Sequence, residues 1–291
     1  MSAASPRGGE RRAVACNLCG GEKAAVCFQE ECLGEVFTIV RCASCGLRYV
    51  SPRPVLPPPP GPDDPEGEYS LARSKRVAFD RRAIAVLKSL APGPSRLDVG
   101  CGTGVFLELA AKGGGFEAEG LEPGRSAAAL ARGKGLKVRE ADLAEADLPA
   151  AAFDAVTLWD VLEHLPDPRA ALLAAARLLR SGGICLVKVP NANALTARAA
   201  RFLHRLQGKR AIRRAHGLQH LYHFSPRTLK ALVRSAGLEV IFATTEESAF
   251  SGFSASRARR AAKAALGGIF RLLPLGLDEE IVVVARRAAR G

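Results

Sequence analysis

The sequence predicts an α/β protein with a doubly wound, mainly parallel sheet that follows a small cysteine-rich module. Three observations predict this architecture. From about residue 69 onward, short apolar runs alternate with helical patterns, as expected for strands joined by crossover helices that cover both faces of a sheet. The segment Leu97–Gly104 ends the first predicted strand of this part in a glycine-rich turn. Six of the eight cysteines lie between Cys16 and Cys45.

The first half of the α/β pattern can be followed element by element. Apolar residues recur at helical spacing in Val77–Leu90, which predicts a helix. Arg96–Val99 is a short strand that ends in glycines. The alternation then continues with a helix over Val105–Ala111, a strand over Phe116–Leu121 and a helix over Ser126–Arg132.

The second half repeats the alternation. Phe153–Trp159 is apolar enough to be a buried strand. Gly182-Gly183 should stop the helix that precedes it, and Ser225 is a suitable N-cap for a helix that Gly237 follows. The predicted helices are Pro168–Leu179 and Pro226–Ser235, and the further strands are Ile184–Val189, closed by Pro190, Leu238–Ala243 and Ile281–Ala285.

Composition sets limits on the class of protein. The chain has 291 residues, 48% hydrophobic and 24% charged, which is sufficient for one full α/β domain and a small module. It contains no apolar run of eighteen residues and no signal-like core in Met1–Arg12, so we expect a cytoplasmic protein without a membrane span. The net charge of +13 favours anionic partners, although a general surface bias explains it equally well.

Three sections are predicted along the chain: a module over 13–50, a proline-rich linker over 51–68 and an α/β domain over 69–291. The prolines of the linker exclude a helix or a central strand. Two basic stretches, at about 192–224 and 250–277, do not fit the rhythm of the sheet. We interpret them as insertions near the carboxyl ends of strands.

The spacing of the glycines in the turn selects between ligands. Ligands of open α/β sheets bind beyond the carboxyl ends of the strands, where a glycine turn and a helix N-terminus offer backbone N–H groups. A dinucleotide fingerprint requires G-x-G-x-x-G, but counting from Gly100 places Val105 at the third glycine, and counting from Gly102 places Leu107 there. The phosphate loop G-x-x-x-x-G-K-[ST] is also absent. The turn therefore does not match either nucleotide motif.

Leu97–Gly104 instead resembles the first motif of the class I methyltransferases that use S-adenosylmethionine, and the resemblance runs from about Tyr69 to the C-terminus. It implies a Rossmann-like sheet of seven strands. It also implies that Glu122, at the end of the second strand, accepts the ribose hydroxyls, and that Asp142 contacts the adenine. Helix capping by Glu122 and a plain turn role for Asp142 are the alternatives. The implied cofactor-binding residues are Asp98, Gly100, Gly102, Gly104, Glu122, Asp142, Leu143 and Trp159.

Methyl transfer from a sulfonium is an in-line displacement, so the protein aligns the acceptor and, for a hydroxyl or an acidic carbon, removes a proton. Candidate bases follow the fourth strand and lie in the run from His216 to Ser225. The candidate catalytic residues are Glu163, His164, His220 and His223. Structural roles for the histidines remain open, as does a zinc site formed by His216, His220 and His223, which lacks an accompanying carboxylate.

The cysteines form two knuckles, Cys16-x-x-Cys19-Gly20 and Cys42-x-x-Cys45-Gly46. Four thiolates at this spacing suit tetrahedral zinc, and a redox role would require a thioredoxin-like surround that is missing. The module resembles a zinc ribbon, with a structural zinc on Cys16, Cys19, Cys42 and Cys45. Cys27 and Cys32 lie between the knuckles, where packing is expected and ligand exchange stays open.

The sequence therefore predicts a methyltransferase that acts on oxygen or carbon of a small metabolite, anionic or lipid-carried, such as a sugar or a quinone. A base-methylation motif is absent, because Trp159-Asp160-Val161-Leu162 stands in its place. Nucleic acid is thus a less favoured partner than a small molecule, and peripheral contact with an anionic membrane surface stays open. The alternatives are an RNA methyltransferase and a non-catalytic, zinc-dependent interaction protein. The oligomeric state does not follow from the sequence.

Overall fold

A computed structural model describes residues 11–32, 35–54, 73–194, 212–213, 220–245 and 280–288. The strands in these ranges are β1 Arg11–Arg12, β2 Ala24–Cys32, β3 Glu35–Cys42, β4 Arg48–Val50, β5 Arg53–Pro54, β6 Ser95–Val99, β7 Glu117–Leu121, β8 Lys137–Arg139, β9 Phe153–Trp159, β10 Leu179–Pro190, β11 Ile212–Arg213, β12 Tyr222–His223, β13 Leu238–Thr244 and β14 Glu280–Arg287. The helices are α1 Arg73–Leu90, α2 Val105–Gly114, α3 Arg125–Gly133, α4 Pro168–Leu178 and α5 Pro226–Ser235.

The largest sheet has seven strands in the order β13-β14-β10-β9-β6-β7-β8. Neighbouring strands from β10 through β8 run parallel, and β14 is antiparallel to both β10 and β13. The predicted mainly parallel sheet of seven strands is confirmed. Strand β8 was not predicted from the sequence, because it has three residues and buries only Val138.

Helices cover both faces of this sheet, as the alternating pattern predicts. Along β9, Val156 and Leu158 join the apolar cluster beneath α4 and α5, whereas Ala155 and Trp159 join the cluster beneath α1, α2 and α3. Successive side chains of a strand point to opposite faces, so one buried strand serves two cores. This explains why all seven residues of β9 are buried.

The two central strands, β6 and β9, define the place for a ligand. The chain proceeds from β6 outward to β7 and β8, then returns to β9 on the other side of β6. Strand order reverses between these two neighbours, and ligands of open sheets bind at such a point. The turn 100–104 follows β6, and residues 160–164 follow β9.

The predicted caps of α5 are found in the structure, whereas the predicted stop of α4 is not. Ser225 and Thr228 form a reciprocal capping box at the start of α5. The predicted stop of α4 at Gly182-Gly183 is wrong. The helix ends at Leu178, and the residues from Leu179 onward already belong to β10, because the buried Leu179 pairs with Phe153 before a bulge.

The cysteine-rich module forms a second sheet that is completed by distant parts of the chain. Its order is β11-β2-β3-β4-β12. The antiparallel strands β2, β3 and β4 come from the N-terminal segment, whereas β11 and β12 come from beyond β10. Residues 55–68 of the predicted linker, and the basic insertions apart from 192–194, 212–213 and 220–224, lie outside the described residues. None of the helices described has the length and apolarity that crossing a membrane requires.

Candidate active site

The glycine turn after β6 has the left-handed backbone that its sequence requires. Gly100, Gly102 and Gly104 have φ angles of +67°, +56° and +84°, which only glycine adopts without strain. A Cβ on Gly100 would lie 2.6 Å from Cγ2 of Val161, and one on Gly104 would overlap Leu136. A side chain at Gly100 or Gly104 would therefore force Val161 or Leu136 to move.

Glu122 joins the glycine turn to the loop after β7. Its Oε2 accepts a 2.8 Å hydrogen bond from the N–H of Gly102, and its Oε1 accepts a 2.8 Å hydrogen bond from the N–H of Gly124. Gly124 is the N-cap residue of α3, so the predicted alternative of helix capping describes part of what Glu122 does. A carboxylate has about four lone-pair sites. Each oxygen thus keeps room for one ribose hydroxyl, and the residue fits the cofactor predicted for it.

Two predicted cofactor residues have specific local roles. Asp98 is fully buried on β6, and its Oδ1 accepts a 2.7 Å hydrogen bond from Oγ1 of Thr157 on β9. Asp142 is half-buried, and its Oδ1 accepts hydrogen bonds from the N–H groups of Ala144 and Glu145 at 2.7 and 2.9 Å. Asp98 thus ties the two central strands together beneath the glycine turn, and Asp142 shapes the turn after β8.

The remaining two predicted cofactor residues lie in the core. Leu143 is 8% exposed and joins the cluster beneath α4 and α5. Trp159 is 2% exposed at the end of β9, and its ring packs against Phe106 of α2 with centroids 5.7 Å apart. The Trp159 ring therefore packs between the sheet and α2.

Three of the four predicted catalytic residues meet at the end of β9. The carboxylate of Glu163 and the imidazoles of His164 and His220 place one ligand atom each within 4.8 Å of one another. The two rings are 4.7 Å apart and edge to face. The carbonyl of Glu163 accepts the N–H groups of Leu221 and Tyr222 at 2.7 and 3.1 Å, which brings His220 to this position. We call Glu163, His164 and His220 the acid–histidine cluster.

Glu163 is a buried acid within this cluster. It is 1% exposed, and its two carboxylate oxygens have no hydrogen-bond partner among the residues that the structure describes. Burial raises its pKa well above the ordinary value, and the nearby acids Asp160 and Glu280 reinforce this, more than Lys188 offsets it. Glu163 therefore favours its protonated form, and the half-buried histidines beside it are the groups able to accept a proton.

Lys188, which was not predicted as a site residue, neutralises the acids around the cluster. Lys188 on β10 is 7% exposed, and its Nζ lies 2.9 Å from Oδ2 of Asp160 and 3.8 Å from Oε2 of Glu280. Asp160 itself has a φ of +57° directly after β9. In the sequence, the indication of this role is a single lysine inside the apolar run Ile184–Val189. A charged side chain is rarely buried in such a strand unless it has a charged partner.

His223, the fourth predicted catalytic residue, lies next to the cysteine-rich module. Its Nε2 is 3.9 Å from Oε2 of Glu30 on β2, and the two side chains are each 7% exposed. The ring of Phe28 packs edge to face against it at 5.7 Å, and the ring of His220 lies 6.4 Å away. His216 lies outside the described residues, so the histidine-only zinc site stays a prediction.

The four knuckle cysteines converge as the spacing predicts. The Sγ atoms of Cys16 and Cys45 are 3.4 Å apart, those of Cys19 and Cys42 are 3.5 Å apart, and all four lie within 4.8 Å of one another. Sulfurs on a tetrahedral zinc at ~2.3 Å stand about 3.8 Å apart. The donor set and its spacing therefore fit zinc. Cys27 is half-buried and lies outside this group, with Sγ 3.9 Å from the carbonyl of Ala25.

The knuckle backbone favours thiolate. Gly20 and Gly46 have φ angles of +72° and +81°, and their N–H groups close the turns onto the carbonyls of Cys16 and Cys42. Burial raises the pKa of Cys42, but the N–H groups of Cys45 and Ser44 and the thiol of Cys19 lower it by more, to about 6. Backbone N–H groups also lower the pKa of Cys16 and Cys45, but burial raises the pKa of both thiols by more, so the turns favour the thiolate most clearly at Cys42.

The module packs directly on the loops after β9 and β10. Nδ2 of Asn17 donates to Oδ1 of Asp167 at 2.8 Å, and Oδ1 of Asn17 accepts the N–H of Arg169 at 2.9 Å. Just after the module, the guanidinium of Arg53 donates to the carbonyl of Pro166 at 2.9 Å. Arg48 donates to the carbonyl of Ala192 at 3.3 Å. The loops beside the acid–histidine cluster are therefore held by the module.

Comparison with known proteins identifies relatives of the α/β part. A family described as "Methyltransferase domain" matches residues 71–242. The chain is 33% identical to a ubiquinone biosynthesis O-methyltransferase of Xanthomonas campestris over 191 residues, which cover 61% of this chain and 74% of the relative. It is 38% identical to the protein of the same name in Alkalilimnicola ehrlichii, over 45% of this chain and 55% of the relative. Another, from Pectobacterium atrosepticum, is 36% identical, over 35% of this chain and 45% of the relative. The chain thus spans about half the length of these last two.

Solved structures share the fold. An S-adenosylmethionine-dependent methyltransferase from Clostridium acetobutylicum superposes with a TM-score of 0.52 and 13% identity, over 77% of this chain and 97% of that chain. One from Archaeoglobus fulgidus gives 0.51 and 21%, over 76% and 97%. At this identity the likeness concerns the fold alone.

Proposed function

This chain belongs to the family of S-adenosylmethionine-dependent methyltransferases, and on that premise we propose that it methylates a hydroxyl oxygen of a small, quinone-like aromatic metabolite. The observation that carries the proposal is the acid–histidine cluster beyond β9, since a hydroxyl acceptor needs a proton acceptor beside the methyl donor. The names of the relatives support oxygen as the acceptor atom and a quinone precursor as its class. Neither the sugar class nor carbon methylation has such support.

The glycine turn and Glu122 are proposed to hold the cofactor, which supplies a methyl group on a sulfonium. The two 2.8 Å hydrogen bonds of Glu122 fix its carboxylate before the cofactor binds, so its remaining lone pairs are aimed without reorganisation. Asp98 supports the turn from below through Thr157. Asp142 and Leu143 are proposed to face the adenine, and Trp159 to support the floor of the site from the core.

His164 and His220 are proposed to accept the proton of the hydroxyl. Both are half-buried, which leaves a face open to an acceptor, and a neutral imidazole has a pKa suited to proton transfer near neutral pH. Glu163 holds its own proton, because burial raises its pKa, and therefore does not compete for the proton of the substrate. His223 lies beside Glu30 of the module, outside the acid–histidine cluster, and we assign it no direct role as the base.

A second role for the same cluster has a specific observation in its favour. One carboxylate and two imidazoles within 4.8 Å of one another form a ligand set that divalent cations accept. A cation there would lower the pKa of a coordinated hydroxyl and act in place of a base. Dialysis against a mild chelator, followed by addition of Mg²⁺ or Mn²⁺, separates the two roles. A histidine base predicts unchanged turnover, and a cation site predicts loss and recovery.

The four cysteines are proposed to hold a structural zinc, separate from the chemistry. Their spacing and the lowered pKa of Cys42 support this assignment.

We also propose the division into a module over 13–50, a linker over 51–68 and a methyltransferase domain over 69–291, with β11 and β12 completing the sheet of the module. The charge of +13 supports an anionic or lipid-carried acceptor.

The test uses radiolabelled S-adenosylmethionine and pairs of acceptors that differ in one group. A hydroxylated benzoquinol should become labelled, whereas the same compound with its hydroxyls already methylated should not. Total RNA serves as the competing acceptor. Label recovered in RNA, or in no phenolic compound, would contradict the proposal.

A further inference from the structure

A buried pair of side chains, Glu30 and His223, connects the cysteine-rich module with the acid–histidine cluster. We propose that Glu30 is a positioning residue for methyl transfer, acting through His223 on His220. The proposal rests on the function proposed above and extends it to a part of the chain that the methyltransferase-domain match, residues 71–242, does not cover. It makes the module part of the active site in addition to a structural unit.

Strand β2 supplies two of the side chains beside His223. Phe28 and Glu30 stand two residues apart, so they share one face of the strand. Phe28 packs against the ring of His223 at 5.7 Å, and Oε2 of Glu30 lies 3.9 Å from Nε2. At 3.9 Å the second contact is electrostatic and not a hydrogen bond. With each side chain 7% exposed, the field of the carboxylate is weakly screened.

A carboxylate at this position selects one state of the imidazole. It favours the tautomer that carries a proton on Nε2, just as acids behind catalytic or metal-binding histidines fix both tautomer and ring orientation. A neutral amide of the same shape would fill the same space without this field. The charge of Glu30, in addition to its volume, is therefore expected to matter.

The backbone transmits the position of His223 to the cluster. Strand β12 pairs His223 with Arg48 of β4, which fixes one side of the segment to the module. The carbonyl of Glu163 accepts the N–H groups of Leu221 and Tyr222, which fixes the other side to the end of β9. His220 directly precedes this clamped segment, and its ring lies 6.4 Å from that of His223 and 4.7 Å from that of His164. A shift of the His223 ring is therefore expected to displace His220 and, with it, the acid–histidine cluster.

A purely structural role makes different predictions from a positioning role. If Glu30 only anchored the module, its replacement would loosen the sheet and would lower zinc content, thermal stability and cofactor binding along with turnover. If it positions His223, an isosteric and uncharged replacement lowers kcat and leaves those three properties in place. Glu35 offers a matched control on the same hairpin, because it pairs with Arg11 at 3.5 Å with both side chains about one-third exposed, and such pairs contribute little.

The experiment compares full-length Glu30→Gln and Glu35→Gln with the wild type, using the hydroxylated benzoquinol as acceptor. We expect Glu30→Gln to lower kcat about tenfold, with zinc content, melting temperature and affinity for S-adenosylmethionine unchanged, and Glu35→Gln to stay within twofold of the wild type. In the His223→Gln background, Glu30→Gln should add no further loss, because its partner is gone. Wild-type kcat in Glu30→Gln, or full additivity with His223→Gln, would overturn the proposal.

A measurement without an acceptor separates this proposal from the proposed function. In protein with ¹⁵N-labelled histidine, Glu30→Gln should shift the Nε2 resonance of His223, identified by its loss in His223→Gln, and Glu35→Gln should leave it in place. An unshifted resonance overturns the role of Glu30. If the wild type methylates no phenolic acceptor while the resonance shifts as expected, the proposed function fails and the action of Glu30 on His223 is supported.

Discussion

The N–H of Gly102 donates a 2.8 Å hydrogen bond to the carboxylate of Glu122, a residue 20 positions further along the chain. This bond joins the turn after β6 to the loop after β7, and the second carboxylate oxygen holds Gly124 at the start of α3. Glu122 therefore shapes the proposed cofactor site before any cofactor is present. Its removal should affect both the loops and the ribose contact.

Replacement of Glu122 by alanine should weaken the binding of S-adenosylmethionine at least tenfold, which corresponds to about 1.4 kcal/mol. The reason is the loss of the hydroxyl acceptors together with the fixed geometry of the turn. Isothermal titration calorimetry measures the change. Glu117→Ala, at an exposed acid on strand β7, which directly precedes Glu122, is the control and should bind normally. Unchanged affinity in Glu122→Ala would remove this residue from the site.

Replacement of Cys16 by serine should release zinc and destabilise the module. Cys16 is 2% exposed and belongs to the apolar cluster that continues from the module to α4 and α5, so the loss of metal leaves poorly packed surface there. Metal analysis and thermal unfolding measure the two effects. Cys27→Ser removes a cysteine outside the tetrad and should retain the metal. One zinc per chain in Cys16→Ser would show that the tetrad is assigned wrongly.

Glu163 should make the protein less stable as the pH rises. Its pKa in the folded protein is raised above the ordinary value of 4.5 by burial and by Asp160 and Glu280. Between these two pKa values the folded state holds a proton that the unfolded chain has released, so the free energy of unfolding falls with increasing pH. Glu163→Gln keeps the neutral shape and should reduce this fall, giving a higher melting temperature than wild type at neutral pH.

Chelator-treated protein is used for that comparison, so that no cation bound at the cluster contributes. Melting curves at pH values from below 4.5 to neutral give the slope for each variant. A wild-type slope identical to that of Glu163→Gln would mean that the carboxylate does not retain its proton. Asp147→Gln, at an exposed acid away from the cluster, controls for a general effect of lost charge.

Single replacements of His164 and His220 by alanine should each lower kcat about a hundredfold, the lower range for loss of a general base. Affinity for S-adenosylmethionine should stay within twofold, because the glycine turn and Glu122 remain. Quenched assays with labelled cofactor measure kcat, and calorimetry measures affinity. Normal turnover in both variants would exclude the pair as the proton acceptor.

The features that the sequence predicted well are those that short segments determine. The glycine turn, the caps of α5 and the knuckles around Cys16 and Cys42 each depend on residues within about ten positions. Their conformations follow from positive φ angles, side-chain caps and ligand spacing. The apolar run of β9 likewise has no competing interpretation, since all seven of its residues are buried.

The features that the sequence did not reveal depend on distant pairings. Strand β12 has two residues and pairs with β4 far earlier in the chain, and no local pattern marks so short a strand. The contact between Glu30 and His223 follows from that pairing. Lys188 looked like one polar residue in an apolar strand until Asp160 and Glu280 were found beside it.

The most direct test of the central claim is the position of the transferred methyl group. The enzyme is incubated with S-adenosylmethionine carrying a ¹³C-methyl group and with the hydroxylated benzoquinol, and the product is analysed by carbon NMR. We predict a single labelled methoxy carbon, formed on a phenolic oxygen and formed in smaller amount by the Glu122→Ala variant at limiting cofactor. A labelled methyl on carbon or nitrogen, or no labelled product, would contradict the assignment of this chain as an O-methyltransferase.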